Sequence, residues 1–99
     1  MRNIEEVKKK LEELRPTLKD QFKVKSIGIF GSYVRGEERK GSDLDILVDF
    51  EEEAELSLLD FIRLENYLSE RSGVKVDLVE REALKPGIGK HILGELIEI

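Results

Sequence analysis

Ile4, Val7, Leu11, Leu14 and Leu18 recur at steps of three and four, the spacing that lines up side chains on one face of an α-helix. Asn3 followed by Glu6 has the form of a capping box, so the pattern predicts an amphipathic helix from residue 3 to about 20, kinked or ended by Pro16. Short apolar runs near 25–30 and 44–50 then read as two strands, and the acidic stretch Glu51 to Glu55 as a solvated loop. Leu58, Leu59, Phe61, Ile62, Leu64 and Leu68 restore a broad helical face. Ser57 with Asp60 opens that helix as a second capping box, and Gly73 closes it. Residues 73–79 read as a third strand. A last helix fits 87–98, where Ile88, Ile92, Leu96 and Ile99 form an apolar stripe suited to packing on a core.

The candidate chemistry lies between the first two strands and on the third. Residues i and i+2 of a strand share a face about 6.6 Å apart along the chain, so Asp43 and Asp45 can converge on one point. Two such carboxylates repel, and each raises the other's proton affinity, unless a cation or a proton lies between them. Magnesium suits such a pair because it takes oxygen ligands and is usually completed by waters and substrate phosphates. Taken alone, an Asp-x-Asp pair could equally be a turn in a chain with 22 acidic residues. The segment before it changes the picture. The apolar run 26–30 ends at Gly31-Ser32, where backbone N–H groups come free, glycine permits close approach of a ligand, and a following helical turn would aim N–H groups at an anion. Ser32 adds a hydroxyl. Arg35, three residues on, could reach the same side and clamp phosphate oxygens, or stand as an ordinary surface charge. Gly36 and Gly41 bracket the charged loop of Glu37, Glu38, Arg39 and Lys40 as turn residues.

Gly31-Ser32, Arg35-Gly36 and Ser42-Asp43-x-Asp45, followed by an apolar strand, closely resemble the signature of the minimal nucleotidyltransferases, the antitoxin family of the DNA polymerase beta superfamily. The resemblance implies an α+β, palm-like nucleotidyltransferase fold, a small mixed sheet packed against helices in the order α-β-α-β-α-β-α. It also implies a third carboxylate on a later strand, and Asp77 fills that place on the face shared with Lys75 and Val79. In the family's terms Asp43, Asp45 and Asp77 are catalytic and bind metal, with two Mg²⁺ ions expected, while Gly31, Ser32 and Arg35 hold the phosphates of ATP. The implied reaction is transfer of a nucleoside monophosphate, AMP from ATP, to a hydroxyl. For proteins of this size the resemblance suggests a tyrosine of a helical HEPN-domain toxin as acceptor, which makes the chain an antitoxin. Two other readings stay open. One is an antitoxin that neutralises its partner by contact alone, and the other a transferase for a small-molecule hydroxyl.

Composition restricts these expectations. Ninety-nine residues suit one domain, 1–99, and leave no room for separate fingers and thumb. A net charge of −5 gives no electrostatic footprint for tracking a long nucleic acid. Cysteine is absent, so neither disulfides nor thiolate metal sites are available. No secretory or membrane-spanning segment is evident, and a cytoplasmic location is the expectation. The terminal apolar stripe leaves room for a homodimer or for a partner on that face, unless one chain buries it. His91, the only histidine, reads as a surface or partly packed residue, and Tyr33 and Tyr67 read as structural.

Overall fold

The computed structural model describes residues 3–99, so the first two residues of the expected unit lie outside the described residues. Helix α1, Ile4–Phe22, is opened by the Asn3 side chain, whose Oδ1 accepts the Glu6 N–H at 2.9 Å. It passes through Pro16 and ends only at Lys23, a left-handed residue with φ 57°. Pro16 therefore does not stop the helix. It lies on the exposed side, while Leu14, Leu18 and Phe22 continue the buried stripe beyond it. Burying such side chains is worth about 1.5–3 kcal/mol each, enough to offset the roughly 3 kcal/mol cost of an internal proline.

Strand β1, Val24–Phe30, leads through Gly31 into a single helical turn, α2, Ser32–Arg35. Strand β2, Leu44–Phe50, pairs antiparallel with β1. Helix α3, Leu58–Ser72, carries the Ser57/Asp60 capping box and stops at left-handed Gly73. Strand β3, Val76–Glu80, then pairs parallel with β2. A 3₁₀ turn, Arg81–Ala83, precedes helix α4, Pro86–Glu95, and a short strand β4, Ile97–Glu98. The sheet order is β3-β2-β1-β4.

The C-terminus departs from the expected helix over 87–98. Helix α4 ends at Glu95, and the chain turns back to pair with β1, Ile97 opposite Ile29 and Glu98 opposite Gly28. Gly28 makes this possible. A Cβ there would stand 2.7 Å from Leu96 Cδ1 and 3.0 Å from the Ile97 carbonyl oxygen. The apolar stripe is divided accordingly. Ile92 is buried and Leu96 packs beside it, Ile99 packs against the core on the opposite face, and Ile88 is left in solvent. The chain itself uses most of the stripe, so the stripe lends no support to a homodimer.

The two faces of the sheet have different tasks. Ile27, Ile29, Leu44, Ile46, Val48, Val76 and Leu78 point to the face covered by α1 and α3, where they form the main core with Val7, Leu11, Leu18, Leu64 and Leu68. The alternate residues point the other way. Phe30 and Leu47 meet Ile92 of α4 in a smaller cluster edged by Val79, Leu84 and Leu96, and strand alternation puts Asp45 and Asp77 on this same face. Helix α3 also covers the edge of the sheet. Ser69 Oγ accepts the Val76 N–H at 3.0 Å and Glu65 Oε2 accepts the Leu78 N–H at 3.0 Å, so the outer N–H groups on either side of Asp77 are satisfied. No helix among the described residues is long and apolar enough to cross a membrane.

Candidate active site

Asp45 is the centre of the site. On one side it stands opposite Phe30, the residue before the Gly31 turn, and on the other it stands opposite Asp77 in the parallel β2–β3 ladder. Asp43 immediately precedes β2, and the loop leading to it is closed by Ser42, whose Oγ accepts the Arg39 N–H at 2.8 Å while its own N–H donates to the Arg39 carbonyl at 2.9 Å. The Leu44 N–H donates to the Lys75 carbonyl at 2.8 Å, which joins the starts of β2 and β3 and fixes the register of the two aspartates. The acids recognised in the sequence as far apart as 43 and 77 thus belong to one end of two adjacent strands.

Their electrostatics bear out the repulsion expected of a like-charged group. Burial, followed by the charges of Asp77 and Asp43, pushes the Asp45 carboxyl up to about 6 from the ordinary value of 3.8, and the positive Arg35 offsets only part of this. Tyr33, fully packed in the core at 2 % exposure, has its phenol raised by burial and then by Glu38 and Asp43. One carboxylate oxygen of Glu38 is shielded from solvent without a hydrogen-bond partner among the described residues. Among the described residues, no three His, Cys, Asp or Glu side chains already stand in metal-holding geometry. The aspartates offer hard oxygen donors, the type that a divalent cation with oxygen ligands takes.

Gly31 is fixed by its surroundings. It adopts φ 82° and ψ −152°, and a Cβ there would lie 2.0 Å from Asp45 Oδ2. Its N–H is not free as the sequence suggests, because it donates to Glu95 Oε1 at 2.9 Å. Ser32 opens α2 and is half-buried, and Arg35 is exposed at the end of the same turn. The Arg35 guanidinium donates from Nε to Glu37 and from Nη1 to both oxygens of Glu95, at 3.1 and 3.2 Å. The Glu95 carboxylate feels burial, which raises its pKa, but the bonds from Gly31 and Arg35 outweigh this and hold it below the ordinary value.

Glu95, Glu65, Ser69 and Ser42 are the contributors that sequence reasoning left without a role. One signal pointed to Glu95. An acid in the last turn of a helix opposes the helix dipole and calls for a compensating partner. His91 is exposed, and Tyr67 packs against Phe22 with ring centroids 5.2 Å apart and planes tilted by 39°, a surface and a structural role as the sequence suggests. A cleft of about 540 Å³ between the β2–α3 loop and the end of β3 is lined by Phe50, Leu58, Phe61 and Glu82 among others, and none of the six candidate site residues borders it.

A mixed sheet with helices packed on it, a Gly-Ser turn after the first strand, an Asp-x-Asp at the head of the second and an aspartate in register on a third strand together define a nucleotidyltransferase. The chain belongs to the nucleotidyltransferase domain family, whose pattern matches residues 11–99. It is 48 % identical over 99 residues to the protein adenylyltransferase MntA of Thermococcus cleftensis, a match that covers 100 % of this chain and 98 % of that one. A solved minimal nucleotidyltransferase superposes with a TM-score of 0.81 at 36 % identity, over 99 % of this chain and 97 % of the other. A crystal structure of a toxin–antitoxin pair with AMP-PNP matches with a TM-score of 0.72 at 25 % identity, over 91 % of this chain and 69 % of the matched chain.

Proposed function

We propose that this nucleotidyltransferase moves AMP from ATP to a tyrosine hydroxyl of a HEPN-type toxin, and so acts as the antitoxin of that pair in the cytoplasm. The observation that carries the reading is the placement of Asp45 between Asp77 and the Gly31 turn. The protein adenylyltransferase at 48 % identity over the whole chain supports the nucleotide and the class of acceptor. The toxin–antitoxin structure with AMP-PNP supports the kind of partner.

Asp43, Asp45 and Asp77 would hold the divalent metal, two Mg²⁺ ions. When bound, the metal neutralises phosphate charge and lowers the pKa of the attacking hydroxyl. The remaining steps belong to the chain. Ser32 Oγ and the free edge of the Arg35 guanidinium hold the outer phosphates, which presents the α-phosphorus toward Asp77. The acceptor oxygen forms a bond to that phosphorus as the bond to the bridging oxygen of the β-phosphate breaks. Asp77, exposed on the edge strand, takes the hydroxyl proton, and Arg35 offsets the charge that develops on departing pyrophosphate.

The test is to incubate the protein with the product of its helical genomic neighbour, ATP and Mg²⁺, and to follow the neighbour's intact mass. The Asp43→Asn, Asp45→Asn double variant serves as control. A gain of one or more AMP masses that the control abolishes is the expected result, with the label on tyrosine. A tight complex that blocks the neighbour without any mass change would replace the reading by neutralisation through contact. No complex at all would direct the search to small hydroxylated acceptors.

A further inference from the structure

Glu95, to which the sequence assigned no role, joins two of the residues it singled out, Gly31 and Arg35. Its Oε1 accepts from the Gly31 backbone at 2.9 Å and from Arg35 Nη1 at 3.1 Å, and its Oε2 accepts from the same Nη1 at 3.2 Å. Gly31 and Arg35 lie 64 and 60 residues away along the chain. The side chain of Glu95 is only 17 % exposed, whereas Arg35 is 45 % and its other partner Glu37 is 62 % exposed. Exposed pairs contribute little and reorient readily, so Glu95 is the partner that fixes the guanidinium.

The backbone that delivers this carboxylate is pinned on both sides. Three residues earlier, Ile92 is buried against Phe30 and Leu47, and two residues later Ile97 pairs with Ile29 of β1. The Ile99 N–H then donates to the Ile27 carbonyl at 3.0 Å. Held between a helix anchor and a strand anchor, the side chain has little freedom to leave, which is how a preorganised site is supported. Its charge also adds to the repulsion felt by Asp45. Nε and Nη1 of Arg35 are occupied by Glu37 and Glu95, and among the described residues neither donor of Nη2 has a partner, which leaves both for a ligand.

We propose that Glu95 is a positioning residue of the transfer site: it locks the Gly31 turn and aims the Arg35 guanidinium so that Nη2 meets the outer phosphates of the nucleotide. This rests on the assignment of Arg35 and the Gly31 turn to the triphosphate. The C-terminal helix thereby becomes part of the nucleotide site, although none of its side chains need touch the reacting atoms.

The experiment is calorimetric binding of ATP with Mg²⁺ to the wild type and to Glu95→Ala, Glu95→Gln, Arg35→Ala and the Glu95→Ala, Arg35→Ala pair, each checked for folding by thermal unfolding. Glu95→Ala is expected to weaken binding about tenfold, and Glu95→Gln, whose amide oxygen still accepts from Gly31, to recover most of it. In the Arg35→Ala background the loss from Glu95→Ala should shrink to about twofold, since there is no guanidinium left to aim. Steady-state rates should show the effect mainly as a raised KM for ATP. If Glu95→Ala does not fold, Glu95→Asp replaces it, with the charge kept but withdrawn by one methylene, and about fivefold weaker binding is expected. Unchanged or tighter binding in a folded Ala or Asp variant would overturn the proposal, making Glu95 a counter-ion that nucleotide displaces. Losses that multiply in the double variant would overturn it too, and would leave the nucleotide reading intact. Absence of binding by the folded wild type would instead overturn both.

Discussion

Asp45→Asn is expected to stabilise the protein at neutral pH and to leave its stability unchanged in acid. The carboxyl titrates near 6 when folded, against 3.8 ordinarily, because it is half-buried beside Asp77 and Asp43. Below 3.8 it is protonated in both the folded and the unfolded chain, and folding is indifferent to it. Between 3.8 and about 6 the folded form keeps a proton that the unfolded form has lost, so stability falls as pH rises. Above about 6 both forms are ionised and the full penalty persists. At about 1.4 kcal/mol per pH unit the span is worth at most about 3 kcal/mol, and screening by solvent at a half-buried position reduces this to about 1–2 kcal/mol. Asparagine has the same shape and carries no charge. Asp45 makes no hydrogen bond to other described residues that the change would break. Urea unfolding of both proteins in EDTA at about pH 3 and pH 7.5 measures the effect directly. The variant should gain about 1–2 kcal/mol at the higher pH, equivalent to a rise in Tm of about 5–15 °C, and nothing at the lower. Added Mg²⁺ should narrow the gap by stabilising only the wild type. A variant less stable than wild type at pH 7.5, or a gain independent of pH, would refute the account of Asp45 as a strained, charge-crowded group.

Three further outcomes follow from the packing. Gly31→Ala places a Cβ 2.0 Å from Asp45 Oδ2 at a φ of 82°, so transfer activity should fall at least about 100-fold and urea stability by about 1–3 kcal/mol; near-normal activity would mean that the turn does not have this geometry. Gly28→Val should push Leu96 and Ile97 off β1, cost about 1–3 kcal/mol, and speed hydrogen exchange at the Ile99 amide, whereas an unchanged exchange rate would contradict the pairing of β4. Leu68→Ala, at a side chain with 0 % exposure in the main core, should cost about 2–5 kcal/mol in urea unfolding, and a loss below about 1 kcal/mol would show that α3 is not seated as described.

The sequence by itself determined most of the local elements and named the candidate site residues. Helical periodicity marked α1 and α3, the cap at Asn3 and the capping box at Ser57 marked their starts, and Gly31-Ser32 with Asp43-x-Asp45 marked the candidate site, because periodicity, caps and turns are short-range properties of the chain. The sequence placed the helix through to about residue 20 but left open whether Pro16 ends it, because a proline's local cost is outweighed by the burial of Leu18 and Phe22, which depends on the rest of the core. The last helix was misjudged at its end for a similar reason. Residues 96–99 have an apolar pattern that fits either period, and the free edge of β1 beside Gly28 selects the strand. Only the tertiary structure decided that Asp45 and Asp77 share a register position, that Gly31 is excluded from being any larger residue by the Asp45 carboxylate, and that Glu95 arrives from the far end of the chain to hold the Gly31 turn and Arg35. These are contacts between residues more than ten positions apart, set by sheet order and by the return of the C-terminus, and no local pattern records them.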